Sequence, residues 1–215
     1  AAAGELANNN EQTFVHKILL PEVSFDEDKF LNGVEKDVGD HGYSVIVASE
    51  GLKNKNGELY ASSTEKDSFG HNQLGGLAPK IASLITEKLS LKNHWSVAEY
   101  LHRSARHISS QTDIEQAVAV GKAAVKLAAE GKSGVMPVIK RISDSPYEWT
   151  ISEGDLNEIA NEEKTLPKHF ISSDGFGITK AGRNYLQPLI EGEGFPKFNN
   201  GIPIYEGLDL HLRKI

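Results

Sequence analysis

The stretch F-V-H-K-I-L-L at residues 14–20, closed by Pro21, decides how the rest of the chain is read. A short apolar run that ends at a residue unable to donate to a ladder has the form of a buried strand leaving its sheet. Helical period follows it. Phe25, Phe30, Leu31, Val34 and Val38 recur on one face, Ser24 and Glu27 stand at capping-box spacing, and Gly39 and Gly42 are the expected stop. Y-S-V-I-V-A at 43–48 is a second β-branched run between Gly42 and Gly51. Strand, helix and strand at this spacing predict a parallel βαβ unit, and with it an α/β fold class. Glu50 then lies just past the C-terminal end of the second strand, where open α/β sheets place ligand-binding groups.

Working outward, residues 52–73 are polar and glycine-punctuated and read as loop. Leu77, Ile81, Leu84, Ile85 and Leu89 predict a helix over 77–89, with Gly75 and Gly76 at its start. A second strong helix is expected from about Thr112 to Glu130, capped by Thr112 or Asp113 and stopped by Gly131. V-M-P-V-I at 135–139 is a strand candidate, restricted to an edge by Pro137. Residues 153–164 and 178–191 read as helices, and the tail from Gly192 as irregular chain packed on the surface. No internal repeat or low-complexity linker interrupts the pattern.

Composition narrows the function classes. The 215 residues are 39% hydrophobic, enough for a real core in one large domain or two small ones. With 23 basic and 30 acidic residues the net charge is −7, so no global positive field favours nucleic acid, and an anion must be held locally. Cysteine is absent, which removes disulfides and thiolate chemistry and fits a reducing compartment. No apolar run is long enough to span a bilayer, and A-A-A-G-E-L-A-N-N-N at the start has no basic n-region, so the expected setting is soluble and cytoplasmic.

Several motif matches carry nothing. G-K-S at 131–133 lacks the earlier glycine of a phosphate loop, D-G-F-G at 174–177 lacks the kinase order, and no G-x-G-x-x-G occurs. His94, His102 and His107 lack metal-ligand spacing, so no metal site is expected on them. Two readings stay open for Glu50: a solvated loop carboxylate, or an acceptor for sugar hydroxyls given approach room by Gly51. D-S-F-G-H-N-Q-L-G-G at 67–76 offers amides to phosphate at a helix start, although close packing explains its glycines better. The strongest local signal is S-V-A-E-Y-L-H-R-S-A-R-H-I-S-S at 96–110. Arg103 and Arg106 present planar forks suited to phosphate oxygens, and Tyr100 adds a neutral hydrogen bond, which points to a phosphorylated small molecule. The competing reading is a charged helix start with its arginines in water.

Taken in order and at these separations, S-E-G at 49–51, D-S-F-G-H-N-Q-L-G-G at 67–76, Y-L-H-R-S at 100–104, V-G-K-A-A-V at 120–125, I-S-S-D-G-F-G-I-T at 171–179 and N-G-I-P-I-Y at 200–205 resemble the phosphofructokinases. The resemblance is closest to the pyrophosphate-dependent branch and covers the whole chain. It implies a three-layer αβα fold with Rossmann-like sheets and transfer of a phosphoryl group from pyrophosphate, with Mg2+, to the 1-hydroxyl of fructose 6-phosphate in glycolysis. It also implies a homodimer or homotetramer. An ATP-dependent enzyme and a non-catalytic sugar-phosphate-binding subunit are the alternatives.

By the resemblance, Glu50 binds the sugar hydroxyls, and the element Tyr100, Leu101, His102, Arg103 contacts the sugar phosphate. His94 stands where relatives place a phosphate-binding arginine, Arg106 is a further candidate, and Glu99 stands where glycine is common. The donor glycine loop, the T-I-D-N-D segment with the aspartate base and the M-G-R motif of the family would precede Ala1. The chain is therefore expected to be a C-terminal half without the catalytic base, donor site or metal ligands, and inactive alone. The expected division is a substrate-binding βαβ domain over 1–100, helices and a strand over 101–191 packing on the donor domain, and a tail over 192–215 returning to the substrate domain.

Overall fold

The structure, a computed structural model, describes residues 1–66, 72–74 and 76–205. These divide into two compact units, residues 1–97 with 161–187, and residues 98–160 with those from 188 onward. Residues 161–187 group with the first unit, and the described part of the tail, up to residue 205, groups with the second.

The first unit is built on the βαβ element. Strand β1 (Lys17–Leu19) pairs in parallel with β2 (Ile46–Ala48), Ile18 opposite Val47, and helix α1 (Glu27–His41) crosses between them. Alternation along β1 sends Leu19 into one cluster with Phe25, Phe30, Val34, Leu52 and Ile81, and Ile18 and Leu20 into another with Ile178. A strand covered on both faces reads as a continuous apolar run, which is why residues 14–20 carried the fold. On its free edge, Ile18 N–H donates to the Phe176 carbonyl at 2.8 Å, so the 171–178 turn lies alongside β1. Helix α1 starts at Asp26, whose side chain accepts from Lys29 N–H, and not at Ser24. It runs through Gly39 and stops at Gly42, φ +80. Gly33 on α1 clears a path for the Lys17 stem, which crosses there to pair with Asp37 at 2.6 Å, both side chains largely buried.

Residues 52–73 are not all loop. Strands β3 (Ser62–Lys66) and β4 (Asn72–Leu74) form an antiparallel pair. Such a polar hairpin carries no apolar alternation to announce it. Residues 67–71 and 75 lie outside the described residues, and with them most of the 67–76 motif. Helix α2 (Leu77–Leu89) follows from Gly76, φ +78, with Pro79 tolerated in the first turn and Leu77, Ile81, Leu84 and Ile85 buried.

The second unit opens with α3 (Leu101–Ser104) and a 3-10 turn at Arg106–Ile108. Helix α4 (Gln111–Ala129) is capped by Ser110, whose Oγ accepts from Asp113 N–H, rather than by Thr112 or Asp113. Strand β5 (Val135–Asp144) pairs antiparallel with β6 (Tyr147–Asp155), Ile139 opposite Ile151. Residues 153–164 are thus the end of a strand and one turn, α5 (Leu156–Ile159), and not a helix. The first unit takes in α6 (Lys180–Leu186), which continues as a 3-10 turn at Gln187–Ile190. The tail contains a short hairpin, β7 (Phe198–Asn199) against β8 (Ile202–Pro203). Its turn residues Asn200 and Gly201 take φ +48 and +82, the two-residue conformation that Asn-Gly favours.

Candidate functional site

Glu50 and His94 belong to the first unit and Tyr100 to Arg106 to the second, so each group is placed within its own unit. In the second unit, α3 is a single turn tied to one carbonyl. Tyr100 O accepts from Arg103 N–H and Ser104 N–H at 3.0 Å and from Ser104 Oγ at 2.9 Å. A serine that bonds back four residues competes with helix continuation, and the helix ends at Ala105. Residues three apart on a helix share a face, and the Arg103 guanidinium carbon lies 5.6 Å from the Tyr100 ring centroid. Tyr100 is 75% exposed, so its hydroxyl and the stacked guanidinium face solvent with their donors available. Leu101, 70% exposed, and His102 lie on the flanks of the same turn. The structure thus joins Tyr100 with Arg103 and leaves the two intervening residues off that face. Arg106 is exposed and engaged differently: its Nη1 donates to the Gly194 carbonyl.

In the first unit, Glu50 is exposed in the turn after β2, which is held by Ser49 N–H to Leu19 O and Leu52 N–H to Ser49 O, both 3.0 Å. A Cβ on Gly51 would stand 3.3 Å from Pro21 Cγ. Close approach to Pro21, not room for a ligand, accounts for that glycine. His94 is exposed in the irregular segment after α2. Its neighbour Asn93 is pinned by Nδ2 donating to Ala82 O at 3.0 Å and to Thr86 Oγ1 at 2.8 Å.

One feature escaped motif reading. The 171–178 turn that carries D-G-F-G folds around Asp174, whose Oδ1 accepts from Ser172 Oγ and from Phe176 N–H, while Lys29 Nζ donates to its carbonyl at 2.7 Å. Burial alone would raise the Asp174 carboxyl, but the Ser172 hydroxyl, the Phe176 N–H and the nearby Lys17 and Lys29 charges outweigh it and hold it below the usual aspartate range. The adjoining cavity, lined by Leu20, Phe25, Lys29, Asp174 and Phe176 among others, has a volume of about 40 Å³. That admits a few waters and no sugar ring. The D-G-F-G stretch is therefore a turn that docks on β1; its signal in the sequence was the positive-φ Gly175 after a side chain able to close an Asx turn.

No family model matches the chain. It is 54% identical over 205 residues to the pyrophosphate–fructose 6-phosphate 1-phosphotransferase of Methylococcus capsulatus, an alignment covering 95% of this chain and 49% of that one. It is 50% identical to the enzyme of the same name from Halomonas elongata, over 98% of this chain and 50% of the relative. Among solved structures, the pyrophosphate-dependent phosphofructokinase of Nitrosospira multiformis superposes with a TM-score of 0.80 at 48% identity, over 96% of this chain and 48% of that one. The chain spans about half the length of the relatives it matches.

Proposed function

The chain belongs to the phosphofructokinase family, in its pyrophosphate-dependent branch, and from that membership we propose that it supplies sugar-phosphate contacts to an enzyme transferring a phosphoryl group from pyrophosphate to fructose 6-phosphate. The observation that carries the reading is the Tyr100–Arg103 pair, stacked on one exposed helical turn. In this reaction the sugar 1-oxygen forms a bond to phosphorus, the bond to the departing phosphate breaks, and the hydroxyl proton passes to a base. Phosphoryl transfer asks a protein mainly for position and charge neutralisation. The 6-phosphate is the handle at the far end of the acceptor. Arg103 meets it with a planar fork, Tyr100 adds a hydroxyl donor, and Glu50 accepts hydrogen bonds from sugar hydroxyls. The base belongs to the family's aspartate segment, which is not found among these 215 residues.

The cation proposed for the whole enzyme is Mg2+. Among the described residues no three His, Asp or Glu side chains come together to hold a metal, and no step is assigned through one. Closed homo-oligomerisation and a cytoplasmic, glycolytic setting complete the proposal; among the described residues no helix is long and apolar enough to cross a membrane.

The test is steady-state kinetics of the full-length enzyme with both substrates varied. A charge-assisted hydrogen bond contributes about 1.5 to 3 kcal/mol, so Arg103→Ala is expected to raise the fructose 6-phosphate KM by about 10- to 150-fold and leave the pyrophosphate KM unchanged. Arg103→Lys keeps the charge and loses the fork, and recovers part of the loss. A normal sugar-phosphate KM in Arg103→Ala, or a defect confined to pyrophosphate, overturns the assignment.

A further inference from the structure

We propose that Arg106 is a positioning residue: by donating to the Gly194 carbonyl it holds the Tyr100–Arg103 turn in the orientation that meets the sugar phosphate. The proposal rests on the reading of that turn as a phosphate contact. The turn has little else to fix it. Residues 100–104 are all exposed, and Ile108 is 66% exposed, so no buried side chain anchors the segment between Tyr100 and Ile108. A contact made from an unanchored surface turn loses affinity to the entropy of ordering it.

What holds the base of the turn is the segment 189–194, which runs antiparallel to residues 109–112. Gly194 N–H donates to Ser109 O at 3.1 Å, Gln111 N–H to Gly192 O at 2.9 Å, Thr112 N–H to Glu191 O at 3.3 Å, and Ser110 Oγ to Leu189 O at 2.8 Å. These four bonds secure the start of α4. Arg106 supplies the bond that reaches back beyond α4 toward the turn, across 88 positions of sequence. The clasp is built for close approach. Gly192 takes φ +78, and a Cβ on Gly194 would stand 2.9 Å from Ser110 O and run into the Ile114 side chain. Two glycines around Glu193 thus let the tail backbone lie flat against residues 109–112 and present the Gly194 carbonyl to Arg106. A charged guanidinium on a carbonyl is among the stronger single hydrogen bonds, and it leaves Arg106 committed to the fold rather than to a ligand.

The experiment compares Arg106→Ala, Arg106→Lys and Gly194→Ala with Arg103→Ala in the full-length enzyme. Arg106→Ala is expected to raise the fructose 6-phosphate KM about five- to tenfold, with kcat and the pyrophosphate KM within about twofold of the parent. Arg106→Lys recovers most of this, because one ammonium donor suffices for one carbonyl. Gly194→Ala, which leaves every charged group in place, also raises that KM, and the double variant is less impaired than the two single effects combined. Without substrate, amide hydrogen exchange at Leu101, Arg103 and Ser104 speeds up in Arg106→Ala.

A normal KM in Arg106→Ala beside an impaired Arg103→Ala overturns the proposal. So does a raised KM with unchanged exchange at 101–104, the behaviour of a direct phosphate ligand. If Arg103→Ala leaves the KM unmoved, the sugar-phosphate reading itself fails, and unchanged exchange then rejects the ordering role of Arg106 as well. Should Gly194→Ala not fold, the Arg106→Lys rescue and the exchange rates decide alone.

Discussion

Glu99 takes φ +41 directly before Tyr100, a left-handed conformation in which a Cβ crowds the residue's own carbonyl. The family resemblance expects glycine at this position, and the backbone shows why. Non-glycine residues pay about 1 to 2 kcal/mol there, partly offset by the lower unfolded-state entropy of glutamate. Glu99→Gly is therefore expected to raise the urea midpoint by the equivalent of about 1 kcal/mol, and a lowered midpoint contradicts the strain. His16 makes a second residue-scale case. Its Nδ1 accepts Val45 N–H at 3.1 Å, its buried Nε2 has no partner among the described residues, and the His41 and Tyr43 rings each lie 5.1 Å away. Burial lowers its basicity, Asp37 opposes that, and His41 and Lys17 add to it. The folded state thus holds the ring neutral where the unfolded chain, near pKa 6.5, already binds a proton. Stability from this group is full above about pH 6.5 and declines as pH falls through the window below it. Urea midpoints measured at about pH 7.5 and 5.5 are expected to fall with acid, and His16→Gln is expected to flatten the slope; an equal slope in the variant rules the histidine out.

Elements are decided at their ends as much as by their periods. Apolar spacing places α1, α2 and α4 correctly, yet two of the expected caps are off by two or three residues, because Ser, Thr and Asp stand close together and the side chain that turns inward is chosen by its surroundings. Ser110 wins at α4 since its Oγ both accepts from Asp113 N–H at 3.1 Å and donates to Leu189 O at 2.8 Å. Ser110→Ala is expected to cost about 1 to 2 kcal/mol in chemical denaturation and Thr112→Ala under about 0.5, since the Thr112 hydroxyl makes only a long 3.4 Å contact to Glu191 O. Equal losses would mean that Ser110 is not the cap. The β5–β6 hairpin eluded pattern reading beyond Arg141 because its residues alternate between half-buried and exposed without a strong apolar face. Tyr147 compensates with its hydroxyl, which accepts from Gln116 Nε2 of α4 at 2.6 Å, and with its ring under the Arg141 guanidinium. The tail, expected as irregular chain, instead closes a two-residue Asn200–Gly201 turn, because both residues tolerate the positive φ that such a turn needs.

At the scale of the whole molecule, the chain spans about half the length of its relatives and shows none of the donor-loop or aspartate-segment residues that the resemblance implies. The 215-residue polypeptide by itself is expected to give no fructose 1,6-bisphosphate from fructose 6-phosphate and pyrophosphate in a coupled assay; turnover would relocate the base to these residues. The sequence by itself determined the α/β class, the βαβ unit around residues 14–48, the three long helices and the pairing of Tyr100 with Arg103. Each of these is local: a period of two or 3.6, or two side chains three positions apart, already specifies which groups share a face. Tertiary structure alone decided that residues 161–187 join the first unit, that Gly51 is small because of Pro21, that D-G-F-G is a turn docked on β1, and that Arg106 spends its guanidinium on Gly194. Those outcomes depend on groups far apart in the chain, and no local pattern encodes which distant carbonyl or ring a side chain will meet once the core has closed.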